Sequence, residues 1–318
     1  MKTLKNLFLG LVLATVPLIQ AFAQTFPTRT VTIVVPFPPG GPTDPVARLI
    51  ATGLEQMWKQ PVVIENRAGA SGLIGARTVA TSRPDGHTLL FTGQLSSTKV
   101  LFKEGAEVVD ALQPVINAVW TPMVMVTNPS VPAKTVREFV DYAKTKPKQL
   151  NVGTIANTGF DLDVQLFLQK SGIDLALVPY NGATPATLAA IRNELSLWFI
   201  APVVAQQHVT AGTLIPLAVT GATRYSGMPN VPTVKEGGVD FTAGFGLGLF
   251  APAKTPDEVV NQIARDVATV MKTETVAARI KQFGFETPLT GPKAWAAELD
   301  NEAKAYGALA AKLGVKPQ

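Results

Sequence analysis

The sequence predicts an α/β fold in which mostly parallel sheets are flanked by crossover helices. Short β-branched or aliphatic runs bounded by Gly and Pro alternate with longer segments of helical period, the pattern of strand–helix–strand units. The 318 residues are 47% hydrophobic and 16% charged, a mixture that can bury a core and is unlike disordered, collagenous or coiled-coil chains. At ~150 residues per domain, the length fits about two domains.

In chain order, strands are expected at Val31–Val35, Val62–Glu65, Thr88–Phe91, Met123–Val126, Leu150–Gly153, Ala176–Pro179, Leu195–Phe199, Pro216–Thr220 and Gly246–Phe250. Helices are expected to fill most gaps, notably Pro45–Trp58, Thr135–Thr145, Leu162–Gly172, Pro185–Asn193, Pro256–Met271 and Pro292–Leu313. The first helix has the clearest pattern: Val46, Ile50, Leu54 and Met57 form one apolar stripe, Asp44 is placed to cap it, and Pro45 fits its first position. No internal repeat, low-complexity tract or long linker interrupts the pattern.

The first 23 residues read as an export signal. Lys2 and Lys5 precede the apolar run Leu7–Ile19, and Ala21-Phe22-Ala23 gives a small-x-small cleavage site before Gln24. That run falls short of the ~20 residues that a spanning helix needs. Cleavage there removes two lysines from a net charge of +5, leaving a mild positive excess with no dense basic run, which argues against nucleic-acid binding.

Composition narrows the chemistry further. With no Cys and only His87 and His208, thiol nucleophiles, Cys-ligated metals and His-rich metal sites are excluded or nearly so. There is no G-x-S-x-G elbow; Ser71 sits in Gly69-Ala70-Ser71-Gly72-Leu73. His87 falls in the turn Pro84-Asp85-Gly86-His87, where a surface position is expected, and His208 in a helix-like segment. Asp161 and Asp163 are two apart, so a helix would turn them to different faces. Catalysis therefore has little support.

The densest binding signal is Val34-Val35-Pro36-Phe37-Pro38-Pro39-Gly40-Gly41-Pro42-Thr43-Asp44, a strand entering a Pro/Gly loop and then a helix. In a parallel sheet this is the ligand edge, where free N–H groups and the helix dipole favour an anion. A second stretch, Glu65-Asn66-Arg67-Ala68-Gly69-Ala70-Ser71-Gly72-Leu73-Ile74-Gly75, has G-x-x-G-x-x-G spacing and matches neither the dinucleotide fingerprint nor a phosphate loop. Its glycines read as close helix packing and its Arg67 as a partner for a surface carboxylate.

These two segments, with Ala47-Arg48 and Pro84-Asp85-Gly86-His87-Thr88-Leu89-Leu90, closely resemble serial signatures of the tripartite tricarboxylate transporter solute receptors, also called Bug proteins. Asn128-Pro129-Ser130-Val131-Pro132-Ala133-Lys134-Thr135, Val178-Pro179-Tyr180-Asn181-Gly182, Leu217-Ala218-Val219-Thr220, Val231-Pro232-Thr233-Val234-Lys235-Glu236 and Leu249-Phe250-Ala251-Pro252 extend the likeness over the whole mature chain.

The resemblance implies a type II-like periplasmic binding protein, a monomer without cofactor, catalytic residue or metal. One lobe would comprise residues 24–121 plus 237–318 and the other 122–236. They would close on a small organic carboxylate and deliver it to a membrane permease. It places ligand contacts at Phe37, Pro39, Gly40, Gly41, Thr43, Gln94 and Leu95 in the first lobe, and at Thr154, Asn157, Thr158 and Tyr180 in the second.

Departures from the family pattern bear on specificity. Where many relatives carry an aspartate after the strand, this chain reads Trp198-Phe199-Ile200-Ala201, so Ile200 would present an apolar wall. Gly246-Leu247-Gly248 replaces a Trp-Phe-Gly pattern and opens space. The hydroxyl cluster expected near position 158 is thinned to Thr158-Gly159-Phe160-Asp161. The expected solute is thus an aromatic or apolar mono- or dicarboxylate. The alternatives are a periplasmic sensor for a membrane signalling partner and, further off, an exported α/β enzyme.

Overall fold

A computed structural model describes residues 26–39, 43–93, 95–155 and 158–317. The expected export signal, together with Gly40, Gly41, Gln94 and Asn157, lies outside the described residues. The class is α/β, built on two main sheets.

The first sheet runs β2 (Val62–Asn66), β1 (Val31–Val35), β3 (Thr88–Thr92), β10 (Gly244–Pro252), β4 (Leu112–Pro122). β1 is parallel to both β2 and β3, whereas β10 is antiparallel to β3 and β4. Helix α1 (Thr43–Trp58) lays Val46, Ile50 and Leu54 against one face, together with α9 (Asp257–Met271). Residues of α2 (Leu73–Ala80), α4 (Gly105–Asp110) and α11 (Pro292–Leu313) pack on Val34, Leu90 and Phe250 of the other face. Strand residues covered on both faces need not alternate with polar ones, which is why β1 reads as a continuous apolar run.

After Pro122 the chain crosses into a second sheet. β5 (Val124–Thr127) lies between β8 (Trp198–Ile200) and β9 (Ile215–Val219), antiparallel to both. The parallel pair β6 (Asn151–Thr154) and β7 (Ala176–Pro179) joins it through the bridge from Val152 to Leu197. Helices α5 (Val136–Lys144), α6 (Gly159–Ser171), α7 (Ala183–Ile191) and α8 (Pro202–Thr210) complete this half. Its apolar clusters, one around Phe139, Phe167 and Phe199 and one around Trp198 and Ile200, are separate from that of the first sheet. The chain then returns through β10, and α9, α10 (Glu274–Gln282) and α11 follow.

Several expectations need correction. β4 is an 11-residue strand that the sequence reading passed over, because Pro114, Asn117 and Pro122 break its apolar pattern. The central part of the second sheet is antiparallel rather than parallel. Helix α1 begins at Thr43, so Pro45 is its third residue, where the missing N–H still costs no intrahelical bond. Met57, past the last buried residue of that helix, is 40% exposed. His87 is buried, with its ring edge-on to Phe26 and its Nδ1 3.1 Å from the Asp85 carbonyl.

The second Gly-rich stretch behaves as packing chemistry predicts. A Cβ at Gly75 would stand 2.8 Å from Pro36 Cβ, and Arg67 pairs with Glu65 at 2.7 Å on the surface. In β10, a Cβ at Gly248 would lie 2.2 Å from the Ile116 carbonyl oxygen and 2.4 Å from Trp295 Cη2. Neither obstacle is a flexible side-chain end. Gly248→Ala is therefore expected to cost about 2 kcal/mol or more, read as a lower denaturant midpoint at unchanged m-value; an unchanged midpoint would refute this packing constraint.

Candidate functional site

A cavity of about 410 Å³ lies where the two halves meet. The first half contributes Gly93 after β3, Ser97 of α3 (Leu95–Leu101), Phe245 of β10 and Glu302 and Tyr306 of α11. The second contributes Ile155, the first turn of α6, Ala183 of α7, and Trp198 to Val203 across the β8–α8 junction. Most of the wall is apolar, and among the described residues no Lys, Arg or His lines it.

Two helix starts meet this wall without a neutralising group. Ala183 opens α7 and Pro202 opens α8; neither helix has a side-chain cap or an acidic residue in its first turn. Pro at the first position is tolerated because its N–H would be unpaired anyway. The partial positive charge at each end is thus left for a guest. α6 differs: Thr158 Oγ1 accepts from Asp161 N at 3.3 Å, and Asp161 sits in the first turn.

A second, polar part of the wall is acidic. Asp163 of α6 faces α11, where the Tyr306 hydroxyl lies 2.9 Å from Asp163 Oδ1 and 3.2 Å from Glu302 Oε1. Two contacts share one phenolic proton, so a protonated carboxyl completes the set. Burial, with the nearby Glu302 adding to it, pushes Asp163 up to about 8 despite the Tyr306 hydrogen bond. Burial also raises Glu302, against hydrogen bonds from Ser96 and Tyr306. Leu101, Leu162, Tyr306 and Leu309 pack beside this cluster, so α3, α6 and α11 join the two halves.

Of the residues singled out in the sequence, Ile200 lies in the wall, 2% exposed and paired in register with Val124. Thr154 is buried and donates to Asp161 Oδ1 at 2.5 Å, while Thr158 donates to the Ile155 carbonyl at 2.6 Å. Tyr180 packs half-buried on the Trp198 cluster. Phe37 packs on the first core and accepts from Asn66 Nδ2 through its carbonyl, Pro39 is exposed, and Thr43 and Leu95 are buried in the first turns of their helices. Asp44, expected as the cap, is the second residue of α1; its carboxylate accepts from Arg48 at 2.8 Å and from Asn66 at 3.0 Å.

Asp163, Glu302 and Tyr306 were missed. The two-residue spacing did separate Asp161, which meets Thr154, from Asp163, which meets Tyr306. Only the approach of α11 gives the latter a partner. Among the described residues no group of three His, Asp or Glu side chains is arranged to hold a metal, and no helix is long and apolar enough to cross a membrane.

Two α/β halves around an aromatic-walled cavity define a small-solute binding protein. Residues 46–315 match the model of the tripartite tricarboxylate transporter family receptor, and the chain belongs to that family. It is similar to protein BugT of Bordetella pertussis, with 28% identity over 304 residues and 92% of each chain covered. Among solved structures it is similar to Rpa4515 of R. palustris with adipate, at 29% identity and TM-score 0.73, covering 92% of this chain and 100% of that one. It is similar too to MatC of Rhodopseudomonas palustris with bound malate, at 31% identity and TM-score 0.69, covering 89% and 99%. The family is one of receptors, not enzymes.

The buried acid at Asp163 has a consequence for stability. Its pKa rises from the usual 3.8 to about 8, so between these values the folded protein holds a proton that the unfolded chain releases. Stability from this group is full below the unfolded value and is lost as pH rises toward 8. Asp163→Asn should flatten that decline and leave the variant more stable than the parent at pH 8 in denaturant titrations. An unchanged pH slope would show that the carboxyl is already ionised at neutral pH.

Proposed function

We propose that this protein is the periplasmic receptor of a tripartite tricarboxylate-type transporter, binding a small carboxylate with an apolar or aromatic body and passing it to the membrane permease. In this reading a signal peptide ending at Ala23 exports it. Residues 24–121 plus 237–318 form one lobe and 122–236 the other, and Phe37 together with the first turns of α1 and α3, which carry Thr43 and Leu95, supplies first-lobe contacts.

The observation that carries the reading is the pairing of two uncapped helix starts with an apolar wall. A carboxylate placed against Ala183 and the Ala201–Val203 turn meets backbone N–H groups and dipoles rather than a basic side chain. Phe160, Trp198, Ile200 and Phe245 offer apolar surface to the rest of the solute. The adipate and malate held by the two R. palustris proteins are acids of comparable size.

The test is thermal stabilisation of residues 24–318 by a panel of aliphatic, aromatic, hydroxylated and α-amino carboxylates, since native-state binding raises the midpoint by mass action. Aromatic or apolar acids should shift it most, and silence across the whole panel would overturn the carboxylate reading. Ile200→Asp should weaken apolar ligands by about tenfold or more, because a buried unpaired carboxyl costs upward of ~1 kcal/mol. Equal affinity in both forms, measured by calorimetry, would remove Ile200 from the specificity wall.

A further inference from the structure

A seam of contacts crosses between the two halves at α3, α6 and α11. The halves are joined covalently where the chain passes from Pro122 to Val124 and where it returns ahead of β10. At the seam, Leu162 of α6 packs with Leu101 of α3 and with Tyr306 and Leu309 of α11. This small cluster draws on both halves and is separate from the core of either sheet. Beside it the Tyr306 hydroxyl reaches Asp163 Oδ1 across the divide at 2.9 Å and Glu302 Oε1 on its own helix at 3.2 Å.

Gly159 lets the two sides come this close. It is the first residue of α6, and a Cβ there would stand 3.0 Å from Ser97 Oγ, 3.2 Å from Ser97 Cβ and 3.9 Å from Tyr306 Oη. A branched side chain would push the start of α6 away from α3 and α11.

The polar part of the seam consists of acids without a base. α6 brings Asp163; its other acid near this end, Asp161, bonds Thr154 and Gln165 within its own half. α11 brings Glu298 and Glu302, and Ser96 of α3 also bonds Glu302. Lys99 of α3 is engaged by Asp110 at 2.6 Å, and Lys304 of α11 by Asp300 at 2.5 Å. Burial pushes the Tyr306 phenol above its usual value and the flanking carboxyls push it further, so it remains a donor. It has one proton for two carboxyls, and a protonated carboxyl supplies the other hydrogen bond. Burial, with Glu302 adding to it, places that proton on Asp163, raised from 3.8 to about 8. Parting the halves would return Asp163 to water and toward its ordinary value.

We propose that the α3–α6–α11 seam is a proton-dependent latch: with a proton on the Asp163–Tyr306–Glu302 cluster it holds the two halves together beside the cavity, and loss of that proton releases them. Joined and parted forms bind different numbers of protons, which fixes the sign. Between 3.8 and about 8 the joined form loses up to about tenfold of its advantage for each unit that pH rises. Elsewhere Val203 abuts Gly284 and the Ser226 N–H donates to Glu286 Oε1 at 3.3 Å, contacts with no shared proton. The inference rests on the two-lobe part of the receptor reading and is independent of the solute.

The chain has no cysteine, so nitroxides can be placed across the seam through Lys103→Cys and Gln169→Cys, both at exposed positions. In the mature protein without added solute, the distance distribution from pulsed electron resonance should be short and narrow at about pH 6 and gain a longer population by about pH 9. Asp163→Asn keeps a neutral partner for Tyr306 and should stay short at both. Tyr306→Phe and Gly159→Val, each checked for cooperative thermal unfolding, should show the longer population already at the lower pH. A parent distribution that is the same at both pH values, or one that changes equally in Asp163→Asn, overturns the latch. So does a short distance retained at both pH values in Tyr306→Phe and Gly159→Val. An unresponsive seam leaves carboxylate binding untouched, whereas a silent carboxylate panel refutes the receptor reading without altering these distances.

Discussion

The pairing of β4 with β10 is the constraint on which the rest of the molecule depends. These strands run antiparallel from Leu112 with Pro252 to Trp120, Thr121 and Pro122 with Gly246, Phe245 and Gly244, with two register shifts on the way. β4 delivers the chain into the second sheet, and β10 brings it back. Their hydrogen bonds hold the outgoing and returning segments side by side and seat the closing helices α9 and α11 on the first sheet. Residues 122 to 140 positions apart are thereby fixed at strand spacing.

The same pairing explains where the cavities are. Gly244, Gly246 and Gly248 alternate along β10, so one face of the strand carries no side chain over that stretch. Trp120 and Trp295 occupy part of the vacated surface; Cβ atoms at 244 and 248 would lie 2.2 Å and 2.4 Å from their rings. What the indoles do not fill is a smaller space of about 170 Å³ beside Asn117 and part of the floor of the main cavity. Twist and bulging at the two register shifts further separate β4 from a flat course. Space for a solute thus comes from omitted side chains on a rigid strand rather than from a loop.

Local patterns were legible wherever an element is stabilised by its own composition. β1 and β7 fall on their expected bounds, and β2, β3, β5, β6 and β9 within one residue, because aliphatic runs end at Gly, Pro or polar residues there. β4 was illegible because its prolines and Asn117 are tolerated only through tertiary partners: Gln113 Nε2 reaches the carbonyls of Pro252 and Thr255, and Thr290 receives the Asn117 N–H. The candidate site divides in the same way. Ile200 was legible only through the family resemblance, as the residue that stands where many relatives carry an aspartate. The acid pair Asp163 and Glu302 was not legible, since each looks like an ordinary helical surface position until α6 and α11 are brought together.

The polarity of the cleft follows from how charge is handled in two parts of its wall. At the α7 and α8 starts, positive potential comes from fixed backbone dipoles, which need no desolvation of a lysine or arginine when a solute enters. Beside α11, Asp163 is held neutral by burial, so an anion is not met by a full negative charge. A micromolar receptor needs only about −8 kcal/mol. Burying ~150 Å² of apolar solute surface contributes roughly 4 kcal/mol, and hydrogen bonds to a charged group ~1.5–3 kcal/mol each, before the cost of immobilising the solute. Two backbone contacts and an aromatic wall are therefore enough in magnitude. Discrimination between acids is left to the groups that stand apart from the family pattern, Ile200 and Gly246, one by removing a polar partner and the other by removing bulk.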